Sequence, residues 1–260
     1  MYRPADPFRD YRALYGPEYD PDEKPVSRPQ PCDFVLTYFQ GMYYGSFIDV
    51  GAFDGISWSN SLPLEKYLGW KGLAVEPIQE QAQAYSDNRK TPVFHGCAWS
   101  HDGHIDFQQV EGYGAMLSGI VDSFVPEHTR RIEEEISRHS GSTSVIKSKC
   151  VTLETLLDYS NATHINYLSI DAECAELEIL KGFNWEKHSV DLISVEDNGY
   201  NDNKASGVMD FLYEKGYFPI NKIQNDVFYA KHWPLERKMF IFGAIGFTDR
   251  DPPTHDNEII

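Results

Sequence analysis

The strongest constraint on the fold is a glycine-containing turn between a buried strand and a helix. Residues 46–50 are an apolar run typical of a buried strand, and residues 49–55 (DVGAFDG) carry two glycines directly after it. A second apolar run, residues 72–76, ends at a proline, and residues 59–68 favour a helix between the two runs. Two strands joined by a helix within about 30 residues are typical of a parallel crossover. The pattern predicts a parallel α/β sheet.

The alternation of strands and helices continues along the chain. Further strands are predicted at residues 93–95, 166–170 and 191–195, and a hairpin-like pair is predicted around Ala98 and residues 105–107. Residues 217–223 and 226–231 favour an antiparallel hairpin at the end. We therefore expect a Rossmann-like α/β fold, with a mostly parallel sheet, a final antiparallel strand and flanking helices.

The 260 residues suit one α/β domain with additions. The predicted boundaries are a proline-rich arm at 1–32, a main domain at 33–232 and a tail at 233–260. Residues 111–147 interrupt the alternation with a glycine-rich stretch and a charged helical segment. We interpret them as an inserted lid, with a purely solvated helix as the alternative.

Composition narrows the classes of partner. The net charge of −17 disfavours nucleic acid. No apolar run approaches the roughly 20 residues that a membrane span needs, and the first ten residues lack an apolar signal core. The cysteines are scattered without a C-x-x-C pair, which argues against a zinc site or a disulfide scaffold and fits a reducing cytoplasm: Cys32, Cys97, Cys150 and Cys174. A small or uncharged acceptor is expected, and the oligomeric state is left open.

The glycine turn and Glu76 together predict a nucleoside site. Gly51 and Gly55 allow a ligand to approach backbone N–H groups, although the turn is not G-x-G-x-x-G. Glu76 ends the next strand, where an acid can accept hydrogen bonds from both ribose hydroxyls. The plainer alternative is an ordinary tight turn with a solvated glutamate.

Five segments resemble the FkbM-type methyltransferases. They are residues 47–55, Ser59-Asn60, residues 64–72, residues 75–77 and residues 168–173 (LSIDAE). The resemblance runs from about Phe34 to His232. It implies a class I methyltransferase fold with a seven-stranded sheet, S-adenosylmethionine (SAM) as cofactor, and methyl transfer to a hydroxyl oxygen of a sugar, polyketide or similar metabolite.

The resemblance also implies cofactor contacts. Residues expected at the methionine end of SAM are Asp49, Gly51 and Asp54, with possible help from Ser59 and Asn60. Glu76 is expected to hold the ribose. Ala98 and Trp99 lie in the stretch that usually brackets adenine, although a core tryptophan is an equal alternative for Trp99.

The acids that follow the strand at 166–170 form the other half of the expected site. Asp171 is a candidate to orient the SAM amino group, to bind a metal or to deprotonate the acceptor, and Glu173 is the second candidate base. Cys174 stands where the family normally has glycine, so a left-handed turn there would be strained. Glu176 and Glu178 are expected to be charges on a helix surface.

We also expect a metal ion beside the acids that follow the strand at 166–170. Residues 194–198 (SVEDN) are similar to the strand end of the metal-dependent catechol methyltransferases, which suggests Mg²⁺ held by Asp171, Asp197 and Asn198. The alternative is a simple turn at Asp197 and Asn198.

The expected mechanism is direct SN2 transfer from SAM to an acceptor hydroxyl, with Asp171 or Glu173 assisting loss of the proton. Tyr113, Met116 and Ser118 of the lid are expected to cover the acceptor. Two alternatives stay open: an NAD(P)-dependent oxidoreductase, and a non-catalytic SAM-binding module. The sequence does not identify the acceptor.

Overall fold

Seven strands form the main sheet in the order β10-β11-β9-β8-β1-β2-β3. The computed structural model describes residues 30–199 and 202–231, so the predicted arm before residue 30 and the tail after residue 231 lie outside the described residues. The strands of this sheet are β1 (Ser46–Val50), β2 (Lys71–Glu76), β3 (Val93–His95), β8 (His164–Ile170), β9 (Ser189–Glu196), β10 (Phe218–Ile223) and β11 (Asp226–Ala230). β11 runs antiparallel to both of its neighbours, β9 and β10, and all other pairs of this sheet are parallel. The predicted sheet and its final antiparallel strand are confirmed.

Seven α-helices are described. They are α1 (Pro31–Tyr38), α2 (Leu62–Leu68), α3 (Gln79–Asn88), α4 (Pro126–His139), α5 (Leu153–Ser160), α6 (Glu176–Lys181) and α7 (Asp202–Glu214). Their ends follow local chemistry. Pro31 occupies the first turn of α1, Gly69 ends α2 in the left-handed conformation at φ 66°, and the Thr152 side chain accepts a hydrogen bond from the Thr155 amide at the start of α5.

The strands bury side chains on both faces of the main sheet. Ile48, Val50 and Leu168 belong to the larger core cluster, whereas Phe47 and Tyr167 belong to a second cluster. This alternation follows from the two-residue period of a strand. Because both faces are covered, the central strands read as continuous apolar runs.

Residues 97–151 form a second, four-stranded sheet in the order β4-β7-β5-β6. Its strands are β4 (Cys97–Ala98), β5 (Gly103–Glu111), β6 (Gly119–Ile120) and β7 (Ser142–Val151), with α4 between β6 and β7. The predicted pairing of Ala98 with residues 105–107 is wrong. β4 pairs in parallel with β7, and β5 pairs antiparallel with β7 and β6. The segment interpreted as a lid is thus a folded sheet and helix.

A disulfide joins Cys97 to Cys150 across the β4–β7 pair. The two residues are register partners with Cα atoms 4.3 Å apart, and both are buried. The scattered cysteines argued against a disulfide scaffold, and this single bridge was not predicted from the sequence. Because the reducing compartment was inferred from unpaired cysteines, that inference loses its support.

In the part of the chain that the structure describes, no helix combines the length and the apolar character that a membrane crossing requires.

Candidate active site

A cavity of about 880 Å³ opens at the carboxyl ends of β1, β2, β8 and β9. Small-molecule sites usually enclose roughly 300–1,000 Å³. The wall includes most of the residues expected from the sequence, namely Asp49, Gly51, Ser59, Asn60, Glu76, Ala98, Asp171, Glu173 and the three lid residues Tyr113, Met116 and Ser118. The topology therefore brings the expected cofactor and acid segments to one space.

Gly51 allows the loop after β1 to lie against the loop after β8. Its φ is +82°, and a Cβ atom there would overlap the carbonyl oxygen of Asp171. The Asp171 amide donates to Val50 O at 3.0 Å, and the Gly51 amide donates to Val75 O at 3.0 Å. Only glycine satisfies both the backbone angle and the spacing.

Glu76 is buried and accepts one backbone hydrogen bond on each carboxylate oxygen. The Phe53 amide donates to Oε2 at 2.9 Å, and the Ile78 amide donates to Oε1 at 2.8 Å. Burial raises the pKa of Glu76 to about 7, although these two amides oppose the shift and Asp49 and Asp54 add to it. A carboxylate has about four acceptor directions, so two remain for a ligand.

Asp49 is also buried, and a polar network supports it from behind. The Ser61 hydroxyl donates to Asp49 Oδ2, and Arg89 donates to Ser61 at 3.2 Å, to Ser59 at 3.1 Å and to Gly55 O at 2.9 Å. Burial raises the pKa of Asp49, while Ser61 and Arg89 oppose the shift. Arg89 therefore fixes the loop that follows β1 through these three hydrogen bonds. This role of Arg89 was not predicted from the sequence.

Two expected cofactor residues lie outside the cavity wall. Asp54 accepts from the Ile56 and Ser57 amides at 2.8 and 2.7 Å, so its carboxylate forms the turn itself. Trp99 is buried within the larger core cluster. The structure thus gives Asp54 a turn-forming role and places Trp99 in the core, which was the alternative stated for it, while their contacts with a cofactor stay predictions.

The acids after β8 sit on a constrained backbone. Glu173 and Cys174 both have positive φ, at 48° and 82°. The backbone is thus left-handed at Cys174, where the family has glycine, even though non-glycine residues adopt this conformation at a cost. The turn buries the Glu173 side chain and points it toward Asp171 and Glu196.

Seven carboxyl groups in and around the cavity have raised pKa values. Enclosure by protein is the main cause in each case, and neighbouring acids add to it for most of them; the groups are Asp49, Glu76, Asp171, Glu173, Glu176, Glu196 and Asp226. Asp171 is exposed to the cavity, but protein surrounds its carboxyl group on the other sides. This enclosure raises the pKa of Asp171. The pKa of Asp226 rises to about 8. The cavity therefore gathers carboxyl groups whose ionised forms are destabilised by burial.

Helix α4 supplies two basic side chains to these acids. His128 is fully buried, with Nδ1 3.3 Å from Glu173 Oε2 and Nε2 3.0 Å from Leu117 O. Arg131 lies in the cavity wall, where its charge opposes the raised pKa of Asp171 and Glu173. The helical spacing of three residues places both on one face. The spacing of these two residues could have predicted that they share a face, but the many charged residues of the helix made every face look exposed to solvent.

The expected Mg²⁺ ligands Asp197 and Asn198 point elsewhere. Asp197 Oδ2 lies 2.7 Å from Lys222 Nζ, and the Asn198 side chain accepts from Asn225 at 3.0 Å. Neither residue lies in the cavity wall. Glu196 belongs to the same predicted segment but was not among the expected ligands, and it is the residue of this segment that lies beside Asp171.

Glu176 also differs from its expectation as a surface charge. It is buried, and its Oε1 accepts from the Cys174 amide at 3.1 Å and the Ala172 amide at 3.3 Å. Its pKa rises to about 7 because of burial. Glu176 therefore stabilises the strained turn that carries Glu173.

Aromatic side chains surround the cavity mouth. Trp58 is 68% exposed and Tyr113 is 65% exposed. Phe53 lies beside Trp58 with ring centroids 5.8 Å apart, and both residues have positive φ. Exposed aromatic rings at a pocket entrance are typical of a ligand-contacting surface.

Comparison with solved structures finds distant likenesses. A methyltransferase FkbM from Methylobacillus flagellatus KT is 12% identical, with a TM-score of 0.44, and covers 72% of this chain. The alignment spans 43% of that protein's length. The N-terminal domain of human METTL16 in complex with SAH is 11% identical, with a TM-score of 0.41 and coverage of 86% of this chain and 78% of that one. A precorrin-6y C5,15-methyltransferase from Geobacter metallireducens GS-15 is 9% identical, with a TM-score of 0.40 and coverage of 80% and 89%.

Comparison with curated proteins finds no match. A family model described as the methyltransferase FkbM domain matches residues 49–219, from the glycine turn through β9 and into β10. That span contains Gly51, Glu76 and the acids after β8, and it covers more than half of the chain. The protein belongs to the FkbM methyltransferase domain family.

Proposed function

We propose that the protein transfers a methyl group from SAM to a hydroxyl oxygen of a sugar, glycan or small metabolite. The observation that carries the proposal is the pair of backbone hydrogen bonds that orients Glu76 beside the Gly51 loop. Its remaining acceptor directions suit the two hydroxyls of a ribose. The family match supports methyl transfer as the reaction.

The proposal gives the cofactor one orientation in the cavity. With the ribose at Glu76, the methionine part extends toward Gly51, Asp49 and Asn60, and the adenine extends toward Ile78 and Ala98. The acidic wall suits the positive sulfonium and ammonium groups of SAM.

The reaction is a single displacement. The acceptor oxygen forms a bond to the methyl carbon as the bond from that carbon to sulfur breaks, which leaves neutral S-adenosylhomocysteine. The hydroxyl proton passes to a carboxylate, Asp171 or Glu173. Alignment of the two reactants in one closed space supplies most of the acceleration.

The side chains at the cavity mouth support a particular class of acceptor. The rings of Phe53, Trp58 and Tyr113 offer flat apolar faces, while the carboxylates below them accept hydrogen bonds from hydroxyls. A ring that carries several hydroxyl groups matches both features.

Two measurements test this function. Incubation of the protein with methyl-labelled SAM and a metabolite extract should yield a labelled product whose methyl group is on oxygen. Calorimetry should show that Glu76→Gln weakens SAM binding at least tenfold, while Glu80→Gln, an exposed residue on α3, leaves it unchanged.

Other outcomes identify the alternatives. Wild-type affinity for SAM in Glu76→Gln contradicts the ribose assignment. SAM binding without a labelled product from any extract indicates a non-catalytic module, and binding of NAD(P) in place of SAM indicates an oxidoreductase.

A further inference from the structure

Three carboxyl groups converge on one point at the floor of the cavity. One oxygen each from Asp171, Glu173 and Glu196 lies within 4.8 Å of the other two. Among the described residues this is the only group of three or more acids, histidines or cysteines with such spacing. Asp171 and Glu173 follow β8, and Glu196 ends the neighbouring strand β9, so parallel pairing of the two strands brings the three together.

The cluster contains oxygens that no hydrogen bond satisfies. Oε2 of Glu196 and Oε2 of Glu173 are both buried and accept no hydrogen bond. His128 Nδ1 lies 3.3 Å from the Glu173 oxygen and can form an ion pair with it. Among the described residues, Glu196 Oε2 has no hydrogen-bond donor beside it. Buried polar atoms without a partner are rare in proteins and often mark the place of an ion or water.

The three acids also repel one another. Burial and the neighbouring acids raise the pKa of Glu173 and Glu196, and burial together with Asp49 raises that of Asp171. One oxygen of Asp171 and one of Glu196 lie within 4.8 Å of each other, and two buried carboxylates this close repel each other unless a proton or a cation lies between them. Arg131 contributes one positive charge to the group.

The spacing and chemistry of the donors suit a hard divalent cation. Such ions bind carboxylate oxygens at about 2.0–2.6 Å, so two ligands of one ion lie no more than about 5 Å apart. The donors are all oxygens, without sulfur or imidazole among the three, which favours Mg²⁺ or Mn²⁺ over zinc or copper. The open cavity leaves room for waters to complete the coordination.

We propose that Asp171, Glu173 and Glu196 bind a Mg²⁺ or Mn²⁺ ion at the floor of the cavity. This ligand set differs from the one expected from the sequence, because Asp197 and Asn198 are engaged with Lys222 and Asn225. The role of the ion rests on the proposed function: a cation beside the acceptor hydroxyl lowers the pKa of that hydroxyl, and a carboxylate that binds the ion through one oxygen keeps its other oxygen to receive the proton. Binding of the ion itself does not depend on methyl transfer.

The test is a Mn²⁺ titration of the purified full chain without SAM, followed by the loss of the electron paramagnetic resonance signal of free Mn²⁺. We expect one site per chain, with Mg²⁺ competing for it. Glu196→Gln and Glu173→Gln should each weaken Mn²⁺ binding at least tenfold. Asp197→Asn tests the other ligand set and should bind as the wild type does. Glu178→Gln, ion-paired with Lys181 on α6, is the matched control.

Each outcome decides the proposal. Absence of Mn²⁺ binding at millimolar concentration overturns it, and so does an Asp197→Asn variant that loses as much affinity as Glu196→Gln. If Glu196→Gln unfolds, as judged by circular dichroism, Glu173→Gln and Asp171→Asn carry the test. Binding of Mn²⁺ without binding of SAM would support the cation site and contradict the proposed function. The failure of one proposal can therefore be distinguished from the failure of the other.

Discussion

Gly51 lies directly against the carbonyl oxygen of Asp171, so the loop after β1 and the loop after β8 are in backbone contact. The first loop belongs to the proposed cofactor site and the second carries the cluster of acids. A change in either loop must therefore displace the other.

Gly51→Ala tests this contact. The added Cβ meets the Asp171 carbonyl and also forces an L residue into the left-handed region, which alone costs about 1–2 kcal/mol. We expect a larger loss of unfolding free energy than that backbone term, together with loss of SAM binding. Urea denaturation and calorimetry measure the two effects.

Gly216→Ala is the control for Gly51→Ala. Gly216 has nearly the same φ, +81°, but nothing lies within 4 Å of a Cβ built on it. This variant should lose only the backbone term and keep SAM affinity. Equal losses in the two variants would mean that the contact with Asp171 has no energetic role.

The affinity for SAM should depend on pH through Glu76, whose pKa is raised to about 7. Above that pH the ionised carboxylate accepts hydrogen bonds from ribose. As pH falls through 7, protonation removes an acceptor, so affinity should decrease from pH 8 to pH 6 by no more than about tenfold per unit. Calorimetry at constant ionic strength measures the change. Glu76→Gln should bind weakly and without this pH dependence, and a variant that retains the same inflection would assign the titration to another group.

The Cys97–Cys150 disulfide should stabilise the second sheet. It joins residues separated by 53 positions, and loop entropy predicts a stabilisation of roughly 4 kcal/mol at most. Reductant should therefore lower the melting temperature of the wild type. The double variant C97A/C150A should melt at a lower temperature than the oxidised wild type, and reductant should not lower it further. A wild type that is insensitive to reductant would argue against the bridge.

Trp58→Ala separates acceptor binding from folding. Because Trp58 is 68% exposed at the cavity mouth, its loss should change the unfolding free energy by less than about 0.5 kcal/mol. It should raise KM for the acceptor identified by methyl labelling, with a smaller effect on kcat. Tyr159→Ala, an aromatic that is 92% exposed and absent from the cavity wall, is the control and should change neither. Equal KM values in the two variants would remove Trp58 from the acceptor site.

Local sequence patterns were sufficient for the first half of the site. The glycine turn, the helix and the strand that ends at Glu76 follow one another within about 30 residues, so their arrangement depends on short-range geometry. The acids after β8 were found for a similar reason, because the carboxyl ends of parallel strands meet at one edge.

The remaining site residues could not be predicted, because their positions depend on contacts between segments that are far apart in the sequence. Successive residues at the end of β9 point to opposite sides, so the choice between Glu196 and Asp197 depends on which face the strand presents to the cavity. The Cys97–Cys150 bridge depends on a strand pairing between residues far apart in the chain. His128 looked like part of a solvated helix, because only the docking of α4 onto the acids identifies its buried face.

The insertion of β11 between β9 and β10 has a consequence for biosynthesis. A ribosome releases β9 before β11, so the edge of β9 is unpaired while the rest of the sheet can already form, and an unpaired edge invites wrong association. Asp226 is the register partner of Glu196, so the acidic floor of the cavity is completed only when this last strand enters. Hydrogen exchange on stalled nascent chains that end before β11 should therefore show protection in β1 and β2 while the β9 amides that pair with β11 still exchange.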